Sequence, residues 1–332
     1  MLNKWLGGWI AALVLGVAVC LAPSVHALEP VNLTLNWVPG GDHSPIFYAK
    51  KMGWYKDAGI DLTIEYGKGS AFSLQKVGSG ASQAGIADMI TALQGISQGA
   101  DVVAVMAIYA NSPFGFYWKK SSGIETVADF KGRKIGNPPA DAARAMWPLL
   151  SQVMGLKPDD VTWVNVAPQA KLASLESGAI DVTTDFYNFD YGYRNALGKD
   201  LGFWAPRDHG FNPYGNAIIV NGKFLQEHRA VVDQLVKVSQ RAYAFCVKDA
   251  MPCVDELAQV ASQKPADVLA NWKLVEELMS NDTTRTVALG YFDPKRMEDD
   301  YQAVAKVFKT APFDVTKHYT NAFLDHAVKM PK

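Results

Sequence analysis

The segment Asn36-Trp37-Val38-Pro39-Gly40-Gly41-Asp42-His43-Ser44-Pro45 holds an indole, a carboxylate and an imidazole within a few residues of one another. An indole stacks on planar ligands, a contact contributing roughly 1 kcal/mol beyond the area it buries. A carboxylate and an imidazole beside it bond the polar edge of such a ring. A structural role is open to two of them: Trp37 can line a core, and Asp42 can cap the helix that follows. A second cluster, Asp185-Phe186-Tyr187-Asn188-Phe189-Asp190-Tyr191, combines acceptors with aromatic faces. There a carboxylate can accept from an exocyclic amine, or Asp185 can cap a helix while the rings pack into a sheet.

Further candidates stand where extended segments end. In Gly67-Lys68-Gly69-Ser70 the glycines let backbone N–H groups approach a ligand, with Gly69 and Ser70 closest to the helix that follows. Asp88 and Asn137 end apolar strands, and Asp141 reads as a helix cap. Asn111 and Tyr214 lie in segments containing Gly and Pro, and Asp208-His209-Gly210 just before Tyr214 reads as lining a cleft mouth.

Several chemistries lack their residues. There is no His-Glu-x-x-His pair, no full Gly-x-Gly-x-x-Gly fingerprint and no Walker pattern. The six histidines show no metal-like spacing on a helix face. The expectation is a binding protein with no catalytic residues, cofactor or metal.

These residues are positioned by alternating elements. Val31–Leu35 alternates apolar and polar, Ile46–Ala58 is helical, Asp61–Ile64 alternates again, and Phe72–Val77 turns helical. Ala84–Ala87, a helix Asp88–Gln98 and Val102–Ile108 continue the rhythm. A second series runs from Lys134–Gly136 through a helix Asp141–Met154, a strand Thr162–Val166, a helix Ala170–Ser177 and a strand Ile180–Thr184. After Asn216–Val220 the chain is almost wholly helical, with its longest helix over Val231–Asp249. Strands alternating with helices predict an α/β fold of two lobes, each a mostly parallel sheet flanked by helices. The lobes comprise residues 28–112 with 215–332, and residues 113–214 inserted between them. Two hinge crossings, Asn111–Tyr117 and Pro213–Ala217, join them, and ligands sit beyond the carboxyl ends of the strands.

At the N-terminus, Lys4 precedes an apolar run Ile10–Leu21 and the small-residue site Val25-His26-Ala27, the layout of a secretory leader cleaved after Ala27. The run is short for a bilayer span of about 20 residues, which weighs against a retained anchor, and Val19 weighs against a lipid on Cys20. The chain carries 32 basic and 33 acidic residues with no basic run, which excludes the electrostatic footprint of a nucleic-acid binder. Beyond the leader only Cys246 and Cys253 remain, a pair that most simply forms a local disulfide in an oxidising compartment. A redox Cys-x-x-Cys or a zinc site needs spacings or partners that are absent.

The opening Leu33-Thr34-Leu35-Asn36-Trp37-Val38-Pro39, His43 and Ile46–Leu62 resemble periplasmic binding proteins of the thiamine-pyrimidine and sulfonate-type uptake family. Asp129–Gly136 resembles the segment that opens the second lobe in that family. The likeness implies a monomeric, hinge-closing fold in the periplasm that hands its solute to an ABC permease. The Trp37-x-Pro39…His43 opening looks most like the branch that binds pyrimidine precursors of thiamine, with Trp37 and His43 at the ligand. Gly40-Gly41-Asp42 departs from the bulkier, amide-bearing residues of that branch. Enzymes of the family that make the pyrimidine resemble one another in a cysteine-rich motif, which this chain lacks. Binding of sulfonate- or nitrate-type anions is the alternative, for which Lys68, Arg144 and Arg207 are the cations near the strand ends, and a pyrimidine-synthesis enzyme or a sensor domain stands behind it.

Overall fold

The computed structural model describes residues 1–2 and 27–331. The expected leader therefore lies, but for its two ends, outside the described residues. In chain order the elements are β1 Glu29–Thr34, α1 Ser44–Lys51, α2 Trp54–Asp57, β2 Ile60–Glu65, α3 Ser70–Gly78, β3 Ala84–Asp88, α4 Met89–Ser97 and β4 Val102–Ala107. There follow β5 Phe114–Lys119, β6 Lys134–Asn137, α5 Ala142–Ala145, α6 Trp147–Val153, β7 Thr162–Asn165, α7 Lys171–Glu176, β8 Val182–Phe186, α8 Asp190–Leu197 and β9 Leu201–Trp204. The chain closes with β10 Asn216–Asn221, α9 Gly222–Glu227, α10 Arg229–Lys248, α11 Ala250–Ala261, α12 Pro265–Met279, α13 Asp282–Thr286 and α14 Pro294–Phe308.

Among the described residues the strands form two five-stranded sheets, ordered β2-β1-β3-β10-β4 and β7-β6-β8-β5-β9. Each keeps four strands running in one direction, in keeping with the expected mostly parallel sheets, and adds one reversed strand. In the first, β10 runs antiparallel to β3 and β4, and in the second β5 runs antiparallel to β8 and β9. The reason is topological. The other strands end at the cleft, so a chain that crosses from one lobe to the other arrives at the cleft edge and must run away from it. β5 and β10 are the first strands after each crossing. The first expected crossing is accordingly too long, since Phe114–Lys119 is already β5.

Two expected helices are each divided. Ile46–Ala58 breaks at Gly53, whose φ of 75° only glycine adopts easily. Asp141–Met154 restarts at Trp147 because Pro148 lacks the N–H that would continue the ladder and fits the first turn of a new helix.

The β1 and β2 side chains Val31, Leu33 and Leu62 are buried with Val232, Leu257 and Trp272 of α10, α11 and α12 in one core. A second core joins Ile90 and Leu93 of α4 to Trp147 and Leu150 of α6 through Met297, Tyr301 and Val304 of α14. The C-terminal helices thus hold both lobes rather than the first alone. Cys246 and Cys253 form a disulfide linking α10 to α11, with Cα atoms 6.0 Å apart and both residues buried. No helix among the described residues is long and apolar enough to cross a membrane.

Candidate functional site

The segments that follow β1, β2 and β6, and the end of β8, meet at a cleft between the two sheets. It is lined from the first lobe by Asn36, Trp37, Asp42, Gly69 and Ser70, and from the second by Asp141, Ala142, Asp185, Phe186, Asn188 and Phe189. Seven of the thirteen sequence-derived candidates meet there: Asn36, Trp37, Asp42, Gly69, Ser70, Asp185 and Asn188.

The polar floor is a closed network. The Gly40 N–H donates to His43 Nδ1 at 3.1 Å, so Nδ1 carries no proton and Nε2 carries one. That Nε2 donates to Asn36 Oδ1 at 3.0 Å and stands 3.4 Å from Asp42 Oδ2. Asn36 Nδ2 donates to Asn216 Oδ1 at 3.2 Å, and Asn216 Nδ2 donates to Asp42 Oδ2 at 3.1 Å. Burial pushes the His43 imidazole below its ordinary value, against the pull of Asp42, which keeps it neutral in this role. His43 is therefore behind the cleft, orienting Asn36 and Asp42, and does not line it. Asp42 does not cap the following helix.

The glycine loop is satisfied internally. Gly67 N–H donates to Trp37 O at 3.0 Å and Gly69 N–H to Asn36 O at 2.6 Å, so neither offers itself to a ligand. Ser70 Oγ accepts the Asp88 N–H at 3.0 Å. Asp88 itself caps α4 through Thr91 N–H at 3.1 Å and lies below the cleft, its carboxyl raised to about 7 by burial, against the bonds from Thr91.

On the opposing wall Asp141 caps α5, accepting from the N–H groups of Ala143 and Arg144 at 2.9 and 3.3 Å. Asp185 is a strand residue rather than a cap, held by the Tyr193 hydroxyl at 3.1 Å. Between them comes Lys171, which sequence reasoning passed over because it opens a plain amphipathic helix. Its Nζ lies 3.2 Å from Asp185 Oδ2, 3.8 Å from Asp141 Oδ2 and 5.1 Å from the centre of the Trp37 ring, and the residue is 1% exposed. Burial raises the Asp141 carboxyl above its ordinary value, with Lys171 opposing.

The remaining candidates are drawn elsewhere. Asn137 bonds Thr183 and Thr184 inside the second sheet. Asn111 ties the first crossing to Ser280 O at 2.9 Å and to Asn212 at 3.1 Å. Tyr187 packs its ring under the Arg207 guanidinium at 3.9 Å. Tyr214 is buried, its hydroxyl donating to Tyr291 O at 3.2 Å. His209 stacks on Trp204 at the edge strand of the second sheet, not at the cleft mouth. Phe186 and Phe189, aromatic members of the second cluster, line the cleft as well, whereas Asn216, which bonds Asp42 in the floor, reads in sequence as an ordinary strand residue.

Two α/β lobes joined by two crossings, with a cleft at the strand ends, define the periplasmic-binding-protein fold. The alkanesulfonate-binding protein SsuA of Xanthomonas axonopodis pv. citri, solved bound to MOPS, matches it with a TM-score of 0.65. That likeness covers 92% of this chain and 97% of SsuA at 17% identity. The chain belongs to the NMT1/THI5 like family, whose profile matches residues 41–251. It is 22% identical over 255 residues to the formylaminopyrimidine-binding protein of Halalkalibacterium halodurans, covering 76% of this chain and 75% of that one. It is 30% identical over 155 residues to the 4-amino-5-hydroxymethyl-2-methylpyrimidine phosphate synthase THI12 of Saccharomyces cerevisiae, spanning 45% of each chain.

Proposed function

We propose that this chain is the periplasmic solute-binding component of an ABC importer. It captures a flat, amine-bearing heteroaromatic of the thiamine-pyrimidine precursor class and presents the closed form to a permease. The observation that carries this reading is the composition of the cleft: the Trp37 ring, the carboxylates of Asp42, Asp141 and Asp185 and the amide of Asn188, with the buried Lys171 ammonium behind Asp141 and Asp185. Buried acceptors require donors, and an exocyclic amine on a ring that stacks against an indole supplies both. The formylaminopyrimidine-binding relative supports the same class.

A sulfonate- or nitrate-type anion is the second reading, favoured by Lys171 and by the start of α3 at the cleft. Two carboxylates beside that ammonium, Asp141 and Asp185, and a third in the lining, Asp42, oppose it, because each repels an incoming anion at close range. The reading as a binder, not a catalyst, rests on residues that hold a ligand without a nucleophile and base in contact. A thermal-shift screen of aminopyrimidines, alkanesulfonates and nitrate tests the class. Stabilisation by aminopyrimidines alone supports it, and stabilisation by anions alone overturns it while leaving the fold.

A further inference from the structure

We infer that Asn271, on α12 and outside every cleft loop, is a specificity-determining residue that sets which hydrogen-bonding group a ligand may present to the second lobe. The inference rests on the amine-binding reading above and deepens it. The backbone N–H of Gly41 can only donate, and it lies 3.0 Å from the Asn271 side chain, so the atom it meets is Oδ1. That same oxygen is 3.1 Å from the Asn188 side chain of the opposite lobe. Two acceptors do not bond, so Asn188 must turn its Nδ2 toward Asn271. Its Oδ1 then points away.

That second oxygen is buried, without any hydrogen-bond partner in the protein, on a residue that lines the cleft and is 1% exposed. An isolated asparagine can rotate its amide by half a turn and serve a donor or an acceptor equally. Asn188 cannot, because rotation would set its oxygen against Asn271 Oδ1. The relay from Gly41 through Asn271 to Asn188 therefore freezes one acceptor toward the ligand. Leaving such an acceptor unpaired is costly, which is how a polar site rejects analogues that lack the matching group. The relay also joins the loop carrying Trp37 and Asp42 to the second lobe, and α12, which supplies Asn271, packs against both. Asn271 is only 2% exposed, so it contacts solvent no more than the core does.

The test uses 4-amino-5-hydroxymethyl-2-methylpyrimidine and its 4-oxo counterpart, in which an acceptor replaces the amino donor, titrated calorimetrically into the wild-type protein and two variants. Asn271→Ser and Asn271→Thr remove the carbonyl within reach of Asn188 and free its amide to rotate, and two are made so that one folded variant suffices, judged by its thermal transition. Asn271→Asp, which retains oxygens at that position, is the control. The expected result is a wild-type preference for the amino compound of at least about tenfold. It shrinks toward one in Asn271→Ser or Asn271→Thr, chiefly through tighter binding of the 4-oxo compound, and persists in Asn271→Asp. A preference unchanged in the folded Ser and Thr variants, or both ligands weakened equally, overturns the inference and leaves the amine-binding reading standing. Failure of the wild type to bind either pyrimidine overturns both.

Discussion

Gly69 lies against Ala140 across the cleft so closely that a β-carbon on it would collide with the Ala140 carbonyl oxygen. The contact joins the first lobe to the second at the rim of the site. Gly69 also has a φ of 136°, a region that side-chain-bearing residues rarely enter. Both facts require glycine there, one for closure and one for the turn into α3. Gly69→Ala is expected to prop the lobes apart. Affinity for an aminopyrimidine should fall at least about tenfold, mostly through faster dissociation, with a larger radius of gyration by X-ray scattering at saturating ligand. Unchanged affinity would show that closure does not depend on this contact.

Lys171, itself buried, holds the buried carboxylate of Asp141 and the partly buried one of Asp185 on one side of the cleft. Removing one partner of a buried ionic cluster leaves charge without compensation, a loss on the order of 3 kcal/mol. Lys171→Met should therefore lower the melting temperature by roughly 5 °C at neutral pH, from about 2 cal/mol/K of unfolding entropy per residue in a chain of this size. Lys171→Met with Asp185→Asn should recover part of that loss. Equal melting temperatures for Lys171→Met and wild type would refute the pairing.

Asp300 accepts the Tyr214 N–H at 2.9 Å, anchoring the second crossing to α14. Burial raises its carboxyl to about 8, against the Tyr214 bond and the nearby Arg296 guanidinium. In the unfolded chain such a group titrates near 4. Between those values the native state keeps a proton that the unfolded state has lost, so stability falls as pH rises from about 4 to 8 and is flat beyond. Each unit of that difference is worth about 1.4 kcal/mol. Asp300→Asn retains an oxygen for Tyr214 and should flatten the decline in melting temperature between pH 5 and 8. A decline of unchanged slope would place the linkage elsewhere.

The Cys246–Cys253 bridge lies between α10 and α11, and neither cysteine lines the cleft. Closing so short a loop contributes about 2 kcal/mol. Cys246→Ala with Cys253→Ala should lower the melting temperature by several degrees and leave aminopyrimidine affinity within about twofold. A larger affinity change would mean that α11 transmits strain to the loop of Gly40 and Gly41.

Much of this architecture is legible in the sequence. Alternating residues such as Val31, Leu33 and Leu35 announced buried strands, and the loops after them held seven of the cleft residues. What escaped was set by topology. The reversed strands β5 and β10 follow from the direction in which the chain enters each lobe, which no periodicity encodes. Lys171 and Asn271 were invisible because each sits on an unremarkable helix and gains its role only from a partner far away in sequence: Asp185 for one, Asn188 for the other. His43, Tyr187 and Tyr214 carried the right chemistry in the right loops, but their side chains turned inward to hold backbone and neighbours. Strand-end position indicates proximity to the cleft and leaves side-chain direction undetermined.

The most direct test is calorimetric titration of the protein with 4-amino-5-hydroxymethyl-2-methylpyrimidine beside an alkanesulfonate, repeated with Trp37→Ala. The account expects saturable, one-to-one binding of the aminopyrimidine, no heat with the sulfonate, and at least about tenfold weaker binding in Trp37→Ala. Tight binding of the sulfonate with none of the pyrimidine would contradict it.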